Sequence, residues 1–322
     1  MYRTILVPSD GSPHANDAAH VGGLLAARFD ARLILQHIAL GKDAVPRALR
    51  DQAEAGELGE LLLDAAERTA RTAGAERIEA VTDRGDPGKR ILERANRESV
   101  DLIVMGQRGH GLLQGLPVGS VTHKVVQAAP CRCATVRHPS AEGGRKVADL
   151  ESLLVASDGS PHGIRAVELA SDLAATTGAR LSLLHVLLAE ATLEELRHLV
   201  DFDQLTPATR ETLEFDNTTH DSEEIEAEAY RSVVAGSAAL EEIGKLIVER
   251  AKAVACERGA KQVASVIRDG DPAERILQGA EAQKSGAIVL GSRGLGMLKS
   301  LVLGSVSKKV DRLAHCTTIA VT

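Results

Sequence analysis

Gly106-Gln107-Arg108-Gly109, nine further residues and then Gly119-Ser120 form the stretch that decides the fold, because the pattern returns as Gly291-Ser292-Arg293-Gly294, nine residues and Gly304-Ser305. A lone glycine pair carries little information. Three glycines and a serine held at one spacing in two places do not arise from independent turns. Each copy follows an apolar run, Leu102-Ile103-Val104-Met105 or Ala287-Ile288-Val289-Leu290, which reads as a buried parallel strand. A strand that ends in a glycine loop and leads into a helix starting near Gly-Ser aims backbone N–H groups and a helix N-terminus at an anion. The anion that suits this arrangement is a phosphate.

The repeat extends over the rest of the chain. Ile5 to Pro13, with Asp10-Gly11-Ser12 at its centre, matches the run through Asp158-Gly159-Ser160-Pro161 at an offset of 148, and Leu35-Gln36-His37-Ile38 matches Leu184-His185-Val186. Gly85-Asp86-Pro87 matches Gly270-Asp271-Pro272 at an offset of 185, which also relates the glycine motifs and Cys131 to Cys316. The change of offset places about 37 extra residues in the second half, between its second strand and its second long helix. Two domains are therefore expected, residues 1–138 and 150–322. A Pro-, Gly- and Ser-containing linker at 139–149 joins them, and the second carries an insertion at about 187–236.

A chain of 322 residues, 44% of them hydrophobic, is long enough for two ordinary cores. No stretch has membrane-spanning length and Met1-Tyr2-Arg3 does not open a secretory leader, so a cytoplasmic location without membrane insertion is expected. Four cysteines do not make a disulfide framework. Cys131 and Cys133 share a strand face where packing is a better reading than metal binding. The net charge of −7 is unevenly placed: residues 187–236 hold thirteen acidic residues against three arginines, a balance of −10, leaving +3 for everything else. With five aromatic residues in all and no basic face, nucleic acid is excluded as a partner.

Within the first repeat, strand-like runs at about 4–8, 32–38, 77–82, 102–105 and 132–136 alternate with helical patterns beginning near Pro13, Arg47, Pro87 and Gly119. This alternation predicts a parallel α/β sheet. Ser12-Pro13 and Asp86-Pro87 are helix starts, repeated as Ser160-Pro161 and Asp271-Pro272. A flavodoxin-like or related strand order would bring Asp10 and Gly106, both at strand ends, to one crevice.

Together, the Asp-Gly-Ser after strand one, the histidine ending strand two, the Gly-Asp-Pro before the third helix and the Gly-x2-Gly-x9-Gly-Ser motif resemble the universal stress protein family, in its ATP-binding branch. The resemblance covers nearly the whole chain twice. It implies two tandem Rossmann-like domains of the adenine nucleotide alpha hydrolase-like kind, each a five-stranded parallel sheet flanked by helices. It also implies that the last strands of the two domains meet across a pseudo-twofold axis. Carried over by position, Pro8 and Asp10, then Ala156 and Asp158, line the adenosine end, and Ile38 and Val186 offer backbone to adenine. Met105, Gly106, Gly109, Gly119, Ser120 and Val121 match the phosphate side of the first domain, as do Leu290, Gly291, Gly294, Gly304, Ser305 and Val306 in the second. Ala156 in place of Pro8, and Val302 in place of Pro117, lead us to expect different affinities at the two sites.

Several residues keep two readings. Asp10 and Asp158 suit a ligand contact or plain turn chemistry. Arg108 and Arg293 suit a phosphate contact or a solvated loop, and His37 and His185 read as structural rather than catalytic. No Walker lysine and no Gly-x-Gly-x-x-Gly fingerprint occur, so the sites are expected to bind better than they cleave. Three functions follow: a sensor of ATP or another adenine nucleotide acting through partners, a slow ATPase using Mg²⁺, or a nucleotide-independent scaffold. A homo-oligomer and an unidentified protein partner are also expected. Within the insertion, Leu193, Leu196 and Val200 have helical spacing, and residues 216–228 are too acidic to bury.

Overall fold

The computed structural model describes residues 2–39, 54–109, 118–138, 150–187, 205–207, 209–210, 225–294 and 303–322. In chain order the first half supplies β1 (Thr4–Pro8), α1 (Pro13–Phe29), β2 (Arg32–Ala39), α2 (Glu54–Thr72), β3 (Ile78–Arg84), α3 (Pro87–Arg97), β4 (Leu102–Gly106), α4 (Ser120–Ala128) and β5 (Arg132–Arg137). The second supplies β6 (Ser152–Ala156), α5 (Pro161–Thr177), β7 (Arg180–Val186), α6 (Ile225–Glu257), β8 (Gln262–Arg268), α7 (Pro272–Ala282), β9 (Ala287–Gly291), α8 (Ser305–Leu313) and β10 (Thr317–Val321).

All ten strands form one sheet in the order β3-β2-β1-β4-β5-β10-β9-β6-β7-β8. Within each half the pairing is parallel, and the seam between halves is antiparallel, with Thr318 opposite Arg137 and Val321 opposite Ala134. The last strands therefore pair with each other and leave no open edge at the centre. Each half has the Rossmann-type order 3-2-1-4-5 rather than the flavodoxin-like 2-1-3-4-5 named from sequence. The consequence for the site is unchanged, because β1 and β4 are neighbours and the strand order reverses between them.

Both faces of this sheet are covered, which is why its central strands are continuous apolar runs rather than alternating ones. Ile5, Leu6 and Val7 are fully buried, as are Leu102, Ile103 and Val104 and, in the second half, Leu153, Leu154 and Val155. One face carries a core continuous across both halves, reaching from Leu25 and Leu35 to Leu169 and Leu183, where α1 packs against α5. The opposite face has a separate core under α3 and α4 and another under α7 and α8. The expected helix starts are side-chain capped: Ser12 accepts from the Ala15 N–H, Asp86 from Lys89, Ser160 from Gly163 and Asp271 from Glu274.

The insertion ends inside a long helix. α6 has 33 residues against 19 for α2, and the offset of 185 maps Glu54 to Ala239, so residues 225–238 extend the helix at its N-terminus. At 1.5 Å per residue this adds about 20 Å. Of the stretch expected to be too acidic to bury, 216–228, residues 225–228 form the first turn of α6. Residues 216–224, the helical pattern at 192–200 and the start expected near Arg47 lie outside the described residues. Leu205 is buried, and Thr206 and Thr209 both hydrogen-bond the Glu242 carboxylate, tying the middle of the insertion to α6.

Candidate functional site

Asp10 leaves the end of β1 in a tight turn. Gly11 adopts φ +79°, a conformation that favours glycine, and the Ser12 N–H donates to Asp10 Oδ1 at 3.0 Å. Ser12 then works twice: its hydroxyl oxygen accepts from Ala15 to cap α1, and the hydroxyl donates to the Arg108 carbonyl at 3.3 Å. The turn after β1 and the glycine loop after β4 are thus joined directly. The second half repeats the local turn, with Gly159 at φ +82° and the Ser160 N–H on Asp158 Oδ1 at 3.0 Å.

The three glycines of each motif have separate physical roles. At Gly106 a Cβ would lie 2.9 Å from the Ala15 nitrogen and the His14 carbonyl carbon, and at Gly291 it would lie 2.8 Å from the His162 carbonyl carbon. These glycines let the strand end pack on the first turn of α1 or α5. At Gly109 a Cβ would run into the Asp10 carboxylate, and at Gly294 it would come within 2.6 Å of Asp158 Oδ2. These bring the loop against the aspartate.

Gly119 and Gly304 are different. Both have ordinary extended backbone, at φ −64° and −67°, and a Cβ on either would meet the protein only at ordinary contact distances. The nearest atoms are backbone of residues 107–109 at 3.4–3.9 Å and of 292–294 at 3.6–3.9 Å. The added carbon would rest in ordinary contact with the loop backbone beside the start of α4 or α8. Neither strain nor packing requires glycine here. These two helices also start without a side-chain cap, unlike α1, α3, α5 and α7.

Pro8 and Ala156 end β1 and β6, while Ser120 and Ser305 open α4 and α8 and are exposed. Met105 and Leu290 have side chains in the core, as do, in part, Ile38, Val121, Val186 and Val306. These six present backbone rather than side chain. Arg108 is exposed and Arg293 half-buried. His37 and His185 are structural: each Nδ1–H donates to the carbonyl of Ser9 or Ser157, at 3.0 and 2.9 Å, bridging neighbouring strand ends. Gly59 and Gly244 let α2 and α6 lie directly on these imidazoles, since a Cβ would approach the rings to 2.9 and 3.1 Å.

Sequence reasoning missed two repeated pairs that belong to the site. Thr122 and Ser307 donate to the carbonyls of Gly106 and Gly291 at 2.9 and 2.8 Å, clamping each helix start to its strand end, and they are related by the offset of 185. His14 and His162 follow the prolines of the Asp-Gly-Ser-Pro motif and are related by the offset of 148, a signal present in the chain. His14 accepts the His138 backbone N–H on Nδ1 at 2.8 Å, so its proton in the neutral ring sits on Nε2. Burial, reinforced by positive neighbours including Arg137 and Arg108, pushes His14 down to about 4. Burial also lowers His162, with help from Arg165 and Arg293. The His138 ring is held by Asp17 at 2.9 Å.

The fold and the loops at its switch points define a doubly wound α/β protein with an anion-suited cradle in each half. The family model that matches this architecture is that of the universal stress protein family, over residues 1–137 and again over 150–322. The chain belongs to that family, as a tandem member. It is 39% identical over 143 residues to a Thermus aquaticus universal stress protein, covering 42% of this chain and 100% of the relative. It is 34% identical over 170 residues to universal stress protein YxiE of Bacillus subtilis, covering 52% of this chain and 97% of the relative. Its fold resembles the crystal structure of an Archaeoglobus fulgidus universal stress protein, with a TM-score of 0.57 at 20% identity over 98% of this chain and 95% of that one. No helix among the described residues is long and apolar enough to cross a membrane.

Proposed function

We propose that each half, 1–138 and 150–322, binds one adenine nucleotide, ATP or a close relative, and that occupancy changes how the protein engages partner proteins. The observation that carries this reading is the pair Gly119 and Gly304. Each is a glycine at a helix N-terminus without a side-chain cap, in a backbone conformation open to any residue and with room for a Cβ at ordinary contact distance from the described residues. Backbone N–H groups at such a helix start suit phosphate oxygens. Ser120 and Ser305 add hydroxyl donors, and Asp10 and Asp158 stand at the other side of the loop as acceptors for a ribose. Ile38 and Val186, at the end of the second strand of each half, are placed to offer backbone to adenine.

Arg108 and Arg293 add positive charge beside the phosphates in this reading. Among the described residues no group of three or more His, Cys, Asp or Glu side chains forms a metal site. Mg²⁺ is accordingly assigned to the bound triphosphate, reaching the protein with ATP.

Isothermal titration with ATP, ADP and AMP, with and without Mg²⁺, tests the reading. Two sites per chain are expected for at least one of the three. A stoichiometry near zero for all three would overturn it. Phosphate release well beyond one event per site would move the function from sensor to ATPase. Mass spectrometry of small molecules released by acid from the purified protein identifies any nucleotide it retains.

A further inference from the structure

The sheet has two outer edges, β3 and β8, and they are not alike. Each is paired on one side only, β3 to β2 and β8 to β7. At the end of β8 the Leu187 N–H donates to the Arg268 carbonyl at 2.9 Å. Backbone groups alternate in direction along a strand, so those of Gln262, Ala264, Val266 and Arg268 turn towards β7, and those of Val263, Ser265 and Ile267 turn outward. The Ile267 carbonyl is met by the Arg268 guanidinium at 3.1 Å, a side-chain contact where a further strand would lie. An edge of this kind is a template for another strand unless charge, proline or a covering element blocks it.

Charge blocks β3. Glu79 and Asp83 lie within the strand, and both are committed inside their own half, Glu79 to Arg32 at 3.3 Å and Asp83 to Arg94 at 2.7 Å. β8 has no charge before Arg268 and carries β-branched residues at Val263, Val266 and Ile267, with Ala264 and Ser265 exposed at its middle. Its charges lie just beyond its ends, at Lys261 and Asp269. Both are exposed, and neither makes an ion pair among the described residues.

We propose that β8 is a self-complementary edge at which a second copy of this chain docks, strand antiparallel to strand, with Ser265 facing the partner's Ser265. In that register Val263 meets the partner's Ile267 and Lys261 meets the partner's Asp269, and symmetry repeats both pairs. On the opposite face Gln262 meets the partner's Arg268, and Ala264 the partner's Val266. The outward backbone groups of Val263, Ser265 and Ile267 then pair across the new ladder. Moving the centre by one residue gives up the charge match, because centring on Ala264 opposes Lys261 to the partner's Ile267 and centring on Val266 opposes Asp269 to the partner's Val263. The same operation on β3 fails: about Val81 it sets Glu79 against the partner's Asp83, and about Ala80 it needs the Asp83 carboxylate that Arg94 already holds. Nothing in this inference depends on the nucleotide reading.

Analytical ultracentrifugation of the full chain at low ionic strength, over a concentration series, tests the proposal. A ribbon of this length is a small interface, so a reversible monomer–dimer equilibrium with a Kd on the order of 10 μM is expected. Lys261→Asp opposes two carboxylates at each end of the ribbon and should weaken the dimer about tenfold; adding Asp269→Lys restores opposite signs and should bring the Kd back to within about threefold of wild type. Ser265→Pro removes an outward N–H, the kind of position where an edge strand tolerates proline, and should abolish the dimer while circular dichroism stays unchanged. The register has its own readout. In a Cys256→Ser background, which removes the exposed thiol, Ser265→Cys should oxidise to a disulfide between copies and Ala264→Cys should do so far more slowly, because Ser265 alone meets its own copy. A wild-type chain that stays monomeric up to about 1 mM would overturn the proposal. So would a dimer unmoved by Lys261→Asp, or a double variant as weak as the single one. Should Ser265→Pro unfold, the charge exchange decides by itself, since it changes only exposed side chains.

Discussion

The two halves of this chain use one backbone and different side chains. Ser12 and Ser160 cap α1 and α5, Thr122 and Ser307 clamp the last helix of each half to its strand, and His37 and His185 tie neighbouring strand ends by the same bond. Yet where the halves face each other, one side offers Asp311 and Arg137 and the other Val126 and Thr322. What has been kept is whatever fixes backbone geometry around the cradle. What has diverged is the support behind it. A duplicated protein can thus keep two loop frameworks alike in shape while the side chains at the seam between them differ.

Substitution of the buried glycines sharpens the first part of this comparison and has the largest expected effect. Gly106→Val and Gly291→Val each force a branched side chain onto the backbone of the neighbouring helix start, at distances below 3 Å. Urea denaturation should show a loss of roughly 2–4 kcal/mol for either, in line with overpacking that no rotamer relieves. A loss confined to one half would mean that the repeated packing is not equivalent after all.

The cradle glycines separate packing from ligand. Gly119→Ala and Gly304→Ala should change stability by no more than about 1 kcal/mol, the scale of an N-cap exchange. Each should weaken ATP binding about tenfold in its own half and leave the other half unaltered. If both variants bound ATP as the parent does, the helix starts at Gly119 and Gly304 would not be where the phosphates sit.

Acid titration addresses a smaller asymmetry. His14 is held near 4 in the folded chain, against about 6.5 when unfolded. Above pH 6.5 the ring is neutral in both states and costs nothing. As the pH falls from 6.5 towards 4 only the unfolded chain takes up the proton, so stability is lost across that window. His185 and His162, also lowered by burial, act in the same direction. His14→Asn keeps an acceptor for the His138 N–H while removing the titration. Its stability should therefore fall less steeply between pH 6.5 and 4, by about 1–2 kcal/mol in total after discounting for partial exposure. An unchanged slope would show that His14 is protonated as readily folded as unfolded.

The smallest effect belongs to the repeated surface pair. Lys124 reaches the Asp86 cap at 2.8 Å and Lys309 the Asp271 cap at 3.1 Å, all four side chains well exposed. Lys124→Met and Lys309→Met should leave the denaturation midpoint unmoved, because solvent screens such pairs. A clear shift in one alone would reveal a difference between the halves that the geometry does not show.

Most of the scaffold was legible because the repeat checks itself. Apolar runs such as Leu102 to Met105 mark strands covered on both faces, and Ser-Pro and Asp-Pro mark helix starts through local chemistry that needs no tertiary context. The strand order was less legible, since either doubly wound order places β1 beside the site. The distinct roles of the glycines were not legible at all: Gly106, Gly109 and Gly119 look alike in sequence, and only the contacts that a Cβ would make tell packing from open space. Asp311 was hidden for a different reason. Its partner Arg137 lies about 170 residues away, and Val126 stands at its repeat position. Thr122 and Ser307, and His14 and His162, carried the repeat signal but not a motif.

The antiparallel seam bears on how the chain is made. A ribosome finishes β5 some 180 residues before β10, so for that interval the first half exposes an unsatisfied strand edge, open to any similar edge nearby. On a crowded messenger the nearest similar edge is that of another nascent first half. Such a pairing would set Arg137 against Val126 instead of Asp311 and remove the cross-seam ion pair. The charge at the seam therefore makes the wrong sibling a poor match and leaves the edge for the strand still being translated.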